Sequence, residues 1–144
     1  MRRFEVVDRG AKTPRRATVG SAGYDLYTPV AFEVEPYSTT KINLGIKAYM
    51  EEDEVLLINV RSSIGIKRGL TLANGQAVID SDFIYSTDEN EGRIILCFRN
   101  NTDSRVFVEE GERVAQGIFM KYLITDDDNP LSDERTGGIG SSGK

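Results

Sequence analysis

The chain has 144 residues, a formal net charge of −5, no histidine and a single cysteine, Cys97. Such a length suits one domain and is short for two, and the acidic balance offers no basic stripe of the kind that grips a nucleic acid polymer. A lone cysteine leaves no intrachain disulfide or multi-cysteine zinc site, so a reducing, cytoplasmic setting is expected, and no run has the apolar length of a membrane span or the apolar centre of a signal peptide.

Taken in chain order, short runs rich in Val, Ile, Phe, Tyr and Thr read as strands at 3–7, 24–28, 31–34, 39–44, 46–50, 55–61, 93–100, 105–108 and 113–124. Turn-forming clusters separate them, and helix is confined to a turn or two near 63–67. Many short strands at short intervals predict an all-β fold, a sandwich, jelly roll or barrel. From Thr125 the composition turns to Asp-Asp-Asp-Asn-Pro and then to Gly and Ser. Residues 1–124 therefore read as a β-rich core and 125–144 as a flexible arm.

Five polar runs interrupt the strands. Ala22-Gly-Tyr-Asp-Leu26 sets Asp25 between apolar neighbours, where it can bind a cation, directly or through water, or cap a turn. Arg61-Ser62-Ser63 follows an apolar strand and offers a forked donor and two hydroxyls to phosphate oxygens, although taken alone such a run is more often a surface ion pair and a turn. Asn74-Gly75 reads as a two-residue hairpin turn leading into Ala77–Asp80, with a narrow slot between the flanking strands able to read the edge of a flat base. With no imidazole in the chain, base chemistry near neutral pH falls mainly to a carboxylate, and Asp80, after an apolar strand, is the natural candidate. Phe83 follows, to pack on a sugar or enter the core. Gly111 to Gln116 opens the last strand with planar donors, and Arg135 precedes Thr136-Gly-Gly-Ile-Gly-Ser-Ser-Gly143, a phosphate-wrapping composition that lacks the helix of a P-loop.

In this order and together, the five runs resemble those of the trimeric deoxyuridine triphosphatases, or dUTPases, over roughly residues 20 to 143. The resemblance implies a jelly-roll-like subunit in a homotrimer, with sites at the subunit interfaces and each arm closing over a site of the trimer. It implies hydrolysis of dUTP to dUMP and pyrophosphate, with Mg²⁺ held on the triphosphate. Asp80 then orients the water that attacks the α-phosphorus. Asn74, Gly75, Val78 and Ile79 read uracil through the turn and its backbone, and Phe83 lies against the deoxyribose. Ser62, Gln116, Arg135, Ser141 and Ser142 hold phosphates, joined by Ser63 and Gly140, with Arg61 organising the second run. Asp25 supports the metal through water.

The chain departs from the family pattern in several places. Phe83 replaces the usual Tyr, Ile139 stands where a Phe usually covers uracil, and Val60 and Ser63 replace Pro and Gly. An insertion at 84–90 reads either as a longer hairpin or as a docking loop for a protein partner. The related dCTP deaminases share Arg-Ser-Ser, but their catalytic Glu falls here on Cys97, a poor acid–base substitute. A non-catalytic nucleotide-binding regulator is a further alternative, opposed by the presence of both Asp25 and Asp80.

Overall fold

A computed structural model of the chain describes residues 1–135. Ile139, Gly140, Ser141 and Ser142 lie outside the described residues. The strands are β1 (Arg3–Val6), β2 (Arg15–Arg16), β3 (Tyr24–Tyr27), β4 (Phe32–Val34), β5 (Thr39–Asn43), β6 (Ile46–Tyr49), β7 (Glu54–Val60), β8 (Leu70–Leu72), β9 (Ala77–Asp80), β10 (Ile95–Asn100), β11 (Val106–Val108) and β12 (Arg113–Lys121). One short helix, α1 (Ser62–Arg68), and a 3-10 turn at Phe83–Tyr85 complete the described chain. The mostly β expectation holds. The last strand ends at Lys121 rather than at residue 124, and Arg61 caps α1 instead of ending β7.

A five-stranded sheet in the order β2-β3-β12-β7-β9 and a three-stranded sheet, β5-β10-β8, share one apolar core, with the ribbons β1-β6 and β4-β11 beside them. Alternation along the strands decides which face is buried. On β7, Leu56 and Ile58 point inward while Val55, Leu57 and Asn59 point outward; on β10, Leu96 and Phe98 point inward. Phe98 is fully buried with its ring 5.3 Å from that of Phe32. Burial of each such side chain stabilises the fold by about 1.5–3 kcal/mol.

The buried polar groups are matched. Asn100, with no exposed surface, donates through Nδ2 to the carbonyls of Val34 (2.9 Å) and Ser104 (2.7 Å) and accepts from the Thr102 amide and hydroxyl, which fastens the loop before β11. Arg68 at the end of α1 grips Glu112 through two hydrogen bonds and holds its carboxyl below the usual range. Arg93 does the same to Asp8 and donates from Nη1 to the Asn90 carbonyl (3.4 Å), which ties the end of the 84–90 insertion to the amino-terminal segment. Gly69 ends α1 with φ +74°, and a Cβ there would lie 2.5 Å from Thr102, so a side chain is excluded on two grounds.

The expected Asn74-Gly75 hairpin is not what forms. Only Gly75 has positive φ (+78°), its amide closes a four-residue turn on the Leu72 carbonyl (2.9 Å), and the strands on either side do not pair with each other. β8 pairs with β10 and β9 pairs with β7, so the turn carries the chain from one sheet to the other. The inward apolar residues explain this. Leu70 and Leu72 complete one wall of the core while Ala77 and Ile79 complete the opposite wall, and burial on both outweighs a local hairpin.

Candidate active site

The turn between sheets opens a slot of about 460 Å³. One wall is Asn74 and β9 from Ala77 to Asp80; the other is the start of β10, Ile95 to Cys97, with Phe83, Lys41 and Arg135 around the mouth. Among the described residues β9 has β7 as its only ladder partner. β8 meets β10 only from Phe98 onward, with the Ala73 amide on the Cys97 carbonyl (2.8 Å) closing that end. Two strand edges with main-chain donors and acceptors left over thus face each other across the slot. A flat heterocycle with alternating carbonyl and N–H groups can use both, as a bridging strand would. Val78 and Asp80 are outward-facing positions of β9, Asp80 at its last residue.

Phe83 takes the buried core position that was one of its two expected places, and it also lines the slot. The Arg135 guanidinium lies 5.9 Å from the ring centroid. Arg135 donates from Nη2 to Asp80 Oδ2 (2.5 Å) and from Nε to Asp82 Oδ1 (2.8 Å). Within the chain, the expected phosphate ligand and the expected base are therefore ion-paired.

A second cleft, of about 620 Å³, lies where β3, β12 and α1 meet. Asp25, Arg61, Ser62, Ser63 and Gln116, from the runs at 22–26, 61–63 and 111–116, line it together. Asp25 is only 7% exposed, and its two oxygens meet Arg61 Nε (3.3 Å) and Arg113 Nη1 (3.4 Å). It thus aims Arg61 into the cleft. Gln116 sits opposite Asp25 in the ladder and packs over Gly23, where a Cβ would approach its amide oxygen to 3.0 Å. Ser21 and Lys67 also line the cleft. Lys67 lies one helical turn beyond Ser63, a spacing that flags it in the sequence once the helix is known. Three hydroxyls, an amide and two cations suit the oxygens of a polyanion.

The two hollows occupy opposite corners of one face of the five-stranded sheet. Asp25 pairs with Gln116 and Gln116 with Asn59, while Asp80 pairs with Val55. Three strand spacings of roughly 4.8 Å and four residues at roughly 3.3 Å rise put Asp25 and Asp80 on the order of 20 Å apart. Between them Val55, Leu57, Val78, Ile118 and Met120 point outward, with Val78 56% and Met120 49% exposed. No composition or spacing argument reveals that pattern, nor the pairing of Arg113 with Asp25 and Asp82 with Arg135. Ile95 and Cys97 become readable as slot residues only once the register of β10 is known.

A family model described as dUTPase matches residues 9–143. The deoxyuridine 5'-triphosphate nucleotidohydrolase of Lactococcus lactis subsp. lactis is 45% identical, the match covering 99% of this chain and 98% of that one. The namesake from Actinobacillus succinogenes is 34% identical over 91% and 87%. The crystal structure of a dUTPase from Streptococcus mutans superposes with a TM-score of 0.79 at 39% identity, covering 86% of this chain and 98% of that one.

Proposed function

We infer the mechanism from one premise: the chain belongs to the dUTPase family, and its activity is that of a deoxyuridine 5'-triphosphate nucleotidohydrolase. Uracil enters the slot, its edge read by Asn74, Gly75 and the backbone of Val78 and Ile79, with the deoxyribose against Phe83. Asp80, at the mouth, accepts the proton of the water that attacks the α-phosphorus, and pyrophosphate leaves. The observation that carries this reading is a carboxylate at the end of a strand that has, among the described residues, one edge without a ladder partner and lines a slot with room for a base and its sugar. Phosphoryl transfer asks mainly for in-line placement and charge neutralisation, both of which such a site supplies.

The triphosphate belongs in the second cleft, on Arg61, Ser62, Ser63, Gln116 and Lys67. A base must lie within a hydrogen bond, or one water, of the proton it takes. Asp80 and Asp25 of one chain are too far apart to serve one α-phosphate, so the slot of one subunit joins the cleft of another. The outward apolar strip between the hollows supports a homotrimer of jelly-roll-like subunits, since a face of this kind is ordinarily covered by a partner. The arm, 125–144, brings Arg135 and, beyond the described residues, Ile139, Gly140, Ser141 and Ser142 over the assembled site. Residues 84–90, where Tyr85 is 70% exposed, offer a docking loop for a protein partner. The single Cys97 suits a cytoplasmic enzyme.

Magnesium fits this arrangement in one way. Among the described residues no group of three or more His, Cys, Asp or Glu could cage a metal, and Asp25 is engaged by two guanidiniums. The donor set therefore suits an ion carried on the triphosphate and reached by Asp25 through water. When bound, Mg²⁺ supplies neutralisation of phosphate charge.

Pyrophosphate release measured with dUTP and UTP tests the slot. Phe83→Ala removes the ring that a ribose 2′-hydroxyl would strike, and the UTP/dUTP ratio of kcat/KM is expected to rise about 10- to 200-fold. An unchanged ratio gives Phe83 a core role only. Ammonia release from dCTP would return the deaminase reading; none is expected with Cys97 at the Glu position.

A further inference from the structure

We propose that Asp82 parks Arg135 across the mouth of the slot while no nucleotide is bound, so that every ligand must first displace the guanidinium. The inference rests on reading the slot as the nucleoside site and Arg135 as a phosphate ligand. Residues 121–134 are all exposed, and then the side chain of Arg135, at 12% exposure, tucks back against the fold. Its Nε holds Asp82, its Nη2 holds Asp80 and its guanidinium faces the Phe83 ring. Arg135 thus pins the described part of the arm to the fold, and the pin lies across the mouth of the slot.

A guanidinium that leaves two carboxylates needs new acceptors. A triphosphate supplies them, dUMP supplies fewer, and a nucleoside supplies none. A parked Arg135 lowers the apparent affinity of every ligand by the fraction of open slots, and a ligand that recaptures the guanidinium gains a further contact of its own. Asp80 must remain for the reaction, so Asp82, 49% exposed and outside both the slot lining and the second cleft, is the group that sets the strength of the latch. It is a positioning residue that acts through Arg135.

Asp82→Asn keeps the shape and removes the charge that holds Nε. Calorimetric titration of the full-length enzyme with dUMP and with the non-hydrolysable α,β-imido analogue of dUTP reads the effect. The dissociation constants for dUMP and for the analogue are both expected to fall, by the same factor of roughly 3- to 20-fold. Asp82→Ala is expected to tighten both ligands in the same way. A purely structural role weakens both ligands; binding of either ligand that is unchanged or weaker overturns the proposal. The turnover of Asp80→Asn checks the site independently. A slot that binds dUMP, loses turnover on that substitution and still gains nothing from Asp82→Asn removes the latch and leaves the site reading intact.

Discussion

Asp80→Asn is expected to lower dUTP turnover by at least roughly 10²–10⁴-fold, the range credited to a positioned general base, with little change in nucleotide affinity. The substitution is nearly isosteric and lies at a half-exposed strand end, so folding is preserved. What disappears is the charge that orients the water and the basicity that takes its proton, both felt in the transition state more than in the bound ground state. Single-turnover kinetics with dUTP separates the two: kcat falls and the dissociation constant stays. Asp82→Asn, two residues on, leaves kcat near wild type because its carboxylate meets Arg135 and not the reacting water. Wild-type turnover by Asp80→Asn with a dead Asp82→Asn would shift the base by two residues.

Deleting the chain from Asp133 onward is expected to cost on the order of 10²-fold or more in turnover, since it removes Arg135 and every hydroxyl and amide of the fifth run from the phosphate shell. The folded core should be unaffected. Asp133 and Glu134 are exposed, Arg135 lines the slot mouth, and none of the three belongs to the apolar core. Thermal unfolding of the truncated protein should match the full chain within a few degrees. Full turnover without the arm would remove it from the mechanism.

The sequence makes the local part of this legible and the long-range part only indirectly. Alternation in β7 and β10 is visible because each strand buries one face. The positions of Asp80, Arg61 and Gln116 are likewise legible, because chemistry-bearing side chains at strand ends stand out against apolar runs. The Asn74-Gly75 turn misleads because Asn-Gly favours a hairpin locally, whereas strand partners are chosen by which core wall Leu72 and Ile79 complete. Arg113 with Asp25 and Arg135 with Asp82 are 88 and 53 residues apart, so only the fold brings them together. Similarly, Leu57, Ile118 and Met120 look like ordinary strand residues until the register aligns them on one outward strip.

The central claim is that the slot of one subunit works with the cleft of another, and complementation between two inactive variants tests it most directly. Asp80→Asn disables the slot; Gln116→Glu, exposed and nearly isosteric, disables the cleft by setting a negative charge against the phosphates. The two proteins are unfolded together, refolded as an equal mixture and assayed for pyrophosphate release from dUTP. If each site draws Asp80 and Gln116 from different subunits, random assembly leaves both intact in some sites and restores about a quarter of the wild-type rate. Mixed oligomers, verified by mass, that stay as inactive as either parent would contradict the account and place both halves of each site on one chain.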